Sequence, residues 1–234
     1  MIDKIFLDRV RSIRKGEMDV ALTTGFNPDE IRSSIGKVND AYANLCTVLG
    51  SDFQNKFISL MSQNWACQEA QNFFNNAVNP TMTDIRKSID TIFESVVTAM
   101  DSAAYNWAMQ TGNAGVYTRS SYNRSGQSID VSIIRENING VRGINEACMS
   151  EGEAVLQTIV SKSSMALDDA INGVSVSGFI GGDQQASLTN ALEKIKSNIE
   201  TSITNLTSEL KSAVDETIAK YSNTGVNVSS AFGG

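Results

Sequence analysis

From Ile31 onward the apolar residues fall at Ile31, Ile35, Val38, Tyr42, Leu45 and Leu49, stepping by four, three, four, three and four. Such a heptad seam is the pattern of helices that lie nearly parallel and bury one stripe against one another. Phe57 and Leu60 carry it toward Trp65. A second seam runs through Ile85, Ile89, Ile92, Val96, Ala99, Ala103 and Trp107, with Pro80 marking either a kink or the true start. A third occupies Leu188, Leu192, Ile195, Ile199, Ser202, Leu206, Glu209 or Leu210, Ala213 and Thr217, and reaches Tyr221. At 1.5 Å per residue this last stretch makes a rod of about 50 Å, which cannot bury its stripe alone and needs partners of similar length. Only two prolines occur in 234 residues, so little interrupts such rods. No strand-like alternation competes over a comparable length. The fold class expected is all-α.

Breaks in the pattern divide the chain. Residues 1–26 are expected to hold an accessory helix: Ile2, Ile5, Phe6, Val10 and Ile13 share one face, opposite Lys4, Arg9, Arg11, Arg14 and Lys15. That face suits either docking on the main body or a membrane surface. A helix start follows at Asn27-Pro28-Asp29-Glu30, where Asn27 caps free amides, proline suits the first position and the acids favour the positive end of the dipole. Residues 27–111 read as helix, turn, helix. Residues 112–128 lose the periodicity and collect Gly, Ser and Asn, as a linker does. Residues 129–222 read as a second pair, with a looser seam through Ile134, Ile138, Val141, Cys148, Val155 and Ile159 and a break at 173–186. Residues 223–234 are expected to be a flexible tail.

The two pairs resemble one another in order. Ile31-Arg32-x-x-Ile35-x-x-Val38 recurs as Ile134-Arg135-x-x-Ile138-x-x-Val141. An aromatic in the turn region and a closing tyrosine occur twice at near-equal separation, Trp65 with Tyr105 and Phe179 with Tyr221. Two helical hairpins in one chain, each with an unburied face, can pair without the entropy of association. The expectation is two long antiparallel helical hairpins in tandem, forming an intramolecular four-helix bundle, a pseudo-dimer that is monomeric through internal pairing.

The turn segments Trp65-Ala66-Cys67 and Phe179-Ile180-Gly181, with SQNWACQEAQNFF and AMDSAAYNWA around the first, resemble the WXG-motif (ESAT-like) family of helical-hairpin proteins of type VII secretion. In that family a Trp-x-Gly sits between two long antiparallel helices, and members pair as dimers that travel through the apparatus folded. Each copy here keeps half of the motif: Cys67 stands at the glycine position of the first and Phe179 at the tryptophan position of the second. The aromatic wedge is kept in both, while Cys67 puts the turn geometry of the first in question. The resemblance implies a secretion substrate or partner whose contacts are the secretion apparatus or a co-secreted helical protein. It also implies export without a cleaved leader, the alternative being a cytoplasmic binding bundle. The family's Tyr-x-x-x-Asp/Glu export signal has no match: Tyr105 is followed four later by Met109, Tyr117 by Ser121 and Tyr221 by Gly225.

Composition argues against chemistry. The chain has no histidine, which excludes a Ser-His-Asp or Cys-His relay and any His-ligated metal. Ser208-x-x-Lys211 lacks the supporting motifs of a serine–lysine enzyme, and Asp168-Asp169 lacks the alternation of a calcium loop. Neither catalytic residues nor a cofactor or metal site is expected. A net charge of −7 is a poor match for phosphates, and Tyr117, Arg119, Tyr122 and Arg124 in the linker read as a solvated connector and not as a nucleic-acid platform. Cys46, Cys67 and Cys148 fit neither a disulfide framework nor a zinc knuckle and read as small buried residues. No stretch approaches the length of a bilayer span. A membrane-active, toxin-like helical protein remains the alternative function, carried by the basic N-terminal face. Trp65, Ala66, Cys67, Phe179, Ile180 and Gly181 at the turns, with Tyr105 and Tyr221 at the bundle ends, are the candidate site residues.

Overall fold

The computed structural model describes residues 27–112, 115, 117–122, 143–175 and 182–231. Four helical rods account for nearly all of them. The first rod comprises α1 (Pro28–Thr47), a π-helical stretch (Val48–Ile58) and α2 (Ser59–Asn64), joined without a break in helical backbone angles. A two-residue strand β1 (Trp65–Ala66) leads to the second rod, made of α3 (Gln68–Phe73), a π-helical turn (Phe74–Val78) and α4 (Asn79–Gln110). After strand β2 (Gly143–Ile144) come the third rod, α5 (Ala147–Ser175), and the fourth, α6 (Gly182–Ala231). Among the described residues the fold is all-α apart from the β1–β2 bridge. The proposed accessory helix at 1–26 and the segment holding Ile134, Ile138 and Val141 lie outside the described residues, as do Phe179, Ile180 and Gly181.

The first rod starts as its cap sequence dictates. Asn27 Oδ1 accepts from the amides of Asp29 and Glu30 at 3.1 and 3.4 Å, and Pro28 opens the first turn. Its buried line runs Ile31, Ile35, Val38, Tyr42, Leu45 and Leu49, then Phe53, Phe57, Met61 and Trp65. The later positions step by four. In an α-helix each such step walks the stripe about 40° around the axis; the wider π turn takes up that drift and keeps the aromatics on one side. Leu60, on the heptad reading, is therefore only partly buried, and Met61 takes its place. In the second rod the deepest line is Ile85, Ile89, Phe93, Val96, Met100, Ala104 and Ala108, with Ile92, Ala99, Ala103 and Trp107 on its flank. Pro80 falls in the first turn of α4, just after the π turn, so its missing amide comes where the hydrogen-bond ladder is already changing. Gly112, at φ +71, ends this rod with its amide on Met109 O at 3.2 Å, a left-handed cap that favours glycine.

The third rod buries small residues among its apolar ones: Gly152, Ser163, Ala166, Ala170 and Gly173. They set how closely it approaches its neighbours. A Cβ on Gly173 would stand 3.1 Å from Val38 Cγ2 and 3.3 Å from Ser34 O, and one on Gly152 would stand 2.5 Å from Met61 Cε and 3.3 Å from Leu210 Cδ2. The start of the third rod thus meets the end of the first, and the two run antiparallel. Lys162–Asp52 (2.9 Å) joins third and first rods, Lys196–Asp168 (2.6 Å) fourth and third, and Tyr42–Asp90 (2.5 Å) first and second. One hydrophobic cluster draws on all four.

Two boundaries differ from the sequence reading. The fourth rod does not stop near 222 but remains helical through Ala231, into the expected tail. Its buried line is Leu188, Leu192, Ile195, Ile199, Ile203, Leu206, Leu210, Val214 and Thr217, so Ile203 and Val214 take the places given to Ser202 and Ala213. The second difference concerns the expected linker. Residues 117–122 are not a solvated connector: Tyr117 is buried and Tyr122 packs edge-on against Tyr42, ring centroids 5.1 Å apart.

Candidate functional site

The turn between the first and second rods is built around Trp65. Its backbone leaves the helix in an extended conformation and pairs with Ile144, while Ala66 pairs with Gly143. Asn145 strengthens the junction, its amide on Asn64 O at 2.8 Å and its side chain on Asn64 Oδ1 at 3.1 Å, and its own Oδ1 accepts from Ala147 N at the start of the third rod. The indole is fully buried and rests against Phe73, centroids 5.7 Å apart. Phe73, Phe74, Phe57 and Phe53 continue the aromatic cluster away from it.

A buried indole N–H needs an acceptor, and the fourth rod supplies it. Trp65 Nε1 donates to Thr217 Oγ1 at 3.2 Å, and that hydroxyl donates to Ala213 O one turn back at 2.8 Å. Thr217 has no solvent exposure. One turn on, Lys220 is hydrogen-bonded to Glu69, which stands in the first turn of the second rod. That bond is the main reason the Glu69 carboxyl titrates below its usual range.

Cys67 occupies the glycine position of the motif without strain. Its φ of −160° and ψ of 179° are extended backbone open to any residue, so the turn never calls for glycine. Its Sγ lies 4.0 Å from Thr217 Oγ1, and burial pushes its thiol pKa up. Cys46 and Cys148 are buried free thiols, also pushed up by burial, Cys148 to about 11 with Glu151 adding to the effect. Raised pKa values leave these thiols protonated and poor nucleophiles at neutral pH.

The two closing tyrosines are not equivalent. Tyr105 is partly buried, with the Arg119 guanidinium 5.0 Å above its ring. Tyr221 is 40% exposed, on the fourth rod one turn past Thr217. The structure thus sets Trp65 and Cys67 against Thr217 of the fourth rod, pairs Ala66 with Gly143, and leaves Tyr105 and Tyr221 outside that group.

Sequence reasoning missed a second cluster. Asp101 lies on the buried line of the second rod at 3% exposure, and it accepts hydrogen bonds from Tyr117 OH (3.0 Å), Arg119 Nε (2.8 Å) and Ser120 N (2.6 Å). The available signal was an acid interrupting the apolar run Val97, Met100, Ala104. Close by, Tyr42 donates to Asp90, and burial followed by that bond drives its hydroxyl pKa up.

Among the described residues no group of three His, Cys, Asp or Glu is placed to hold a metal, and no helix is long and apolar enough to cross a membrane. A cleft of about 220 Å3 between the second and fourth rods has an isoleucine floor, Ile85, Ile195 and Ile199, with Asp84, Ser88 and Asn198 at its edge. No family model matches the chain, and neither a curated protein nor a solved structure matches it.

Proposed function

We propose that the chain is a non-enzymatic helical interaction protein of the WXG type, a substrate or partner of type VII secretion built as two hairpins in tandem. In this reading the first and second rods form one hairpin and the third and fourth the other. The two pair within the chain as separate subunits do in a dimer, giving an intramolecular four-helix bundle that is monomeric in solution. Its partners are the secretion apparatus or a co-secreted helical protein, and it leaves the cell through that apparatus.

One observation carries the reading: the tryptophan of the turn is buried against the opposite pair of rods, hydrogen-bonded to Thr217 across 152 residues. A turn aromatic wedged into the partner hairpin is what a paired helical-hairpin protein needs. Protonated thiols and the absence of histidine point the same way.

The test is export from the native host. A tagged chain is expected in the culture fluid of the parent strain and not in that of a strain lacking the membrane ATPase of the secretion system, with a cytosolic enzyme as leakage control. Equal amounts outside both strains would refute the proposal. Light scattering on the purified chain is expected to give the 25.2 kDa of one copy.

A further inference from the structure

We draw no further inference here: the strongest candidate, the cleft between the second and fourth rods with Asp84 at its edge and Ile85, Ile195 and Ile199 as its floor, carries nothing because nothing in the structure shows what covers it.

Discussion

Replacing Thr217 by valine keeps the shape of the side chain and removes the acceptor of the Trp65 indole. Both groups are fully buried, so no water takes the place of the hydroxyl. A neutral hydrogen bond contributes about 0.5–1.5 kcal/mol net, but a donor left buried and unpaired raises the loss to about 1–3 kcal/mol. Of the other contacts of Thr217, the bond to Ala213 O at 2.8 Å is local and its acceptor still receives a backbone amide from the helix ladder, while Cys67 Sγ at 4.0 Å is a weak partner. The expected loss for Thr217→Val is thus about 1–3 kcal/mol, or about 2–4 °C in Tm for each kcal/mol in a chain of this size. In a Trp65→Phe background the orphan donor no longer exists, and the same substitution is expected to be nearly neutral. Urea unfolding followed by far-ultraviolet circular dichroism gives all four corners of the cycle, with a single transition and unchanged m-value in each. The reasoning fails if Thr217→Val costs the same in both backgrounds. It fails equally if unfolding shows two transitions of which Thr217→Val shifts only one, because the halves would then not be joined through the turn.

Three further outcomes follow from the packing and the titrations. Cys67→Gly, which restores the motif glycine, is expected to lower stability by about 0.5–1 kcal/mol in urea titration, since the extended backbone gains nothing from glycine and the unfolded chain gains freedom. Gly152→Val is expected to cost about 1–3 kcal/mol in thermal unfolding, because its Cβ would sit 2.5 Å from Met61 Cε and 3.3 Å from Leu210 Cδ2, so that buried side chains must shift to admit it. Burial pushes the Tyr117 hydroxyl up to about 12, with Asp101 adding and Ser120 opposing, and Tyr42 is pushed up too. The folded state then holds these protons longer than the unfolded chain, so their contribution is complete below about pH 10 and is lost as pH rises toward 12. Phenolate absorbance is expected to show Tyr42 and Tyr117 ionising only as the helical signal collapses.

The rods were legible because proline is scarce and the apolar residues repeat, but the repeat was read with too short a period. Leu188, Ile199 and Leu210 stand eleven apart, as do Leu192, Ile203 and Val214. Three turns per eleven residues is about 3.67 per turn, against 3.5 for a heptad. A heptad reading therefore slips by one at Ser202, then returns to register at Leu206. In the first rod the π stretch produced the same slip at Leu60. In the third, glycine, serine and alanine at the contacts hid the seam, since close approach selects small residues that carry no hydrophobic signal. Of the turn, the burial of Trp65 followed from its place between two seams. Its acceptor did not, because a threonine among apolar neighbours reads as filler until the indole is seen above it. The connector was misread for a related reason: glycine and serine around it signal a loop, and nothing local shows that Tyr117 and Arg119 converge on an acid that precedes them in the helix.

The bond between Trp65 and Thr217 also has a history in time. Ribosomes add about 5–20 residues per second, so the hydroxyl is made about 8–30 s after the indole that needs it, 152 residues earlier. Throughout that interval the nascent first half holds a tryptophan with its docking place still untranslated. Co-translational folding can close that corner only after the fourth rod has emerged, and any chaperone or foreign helix that meets the ring before then competes directly with that rod.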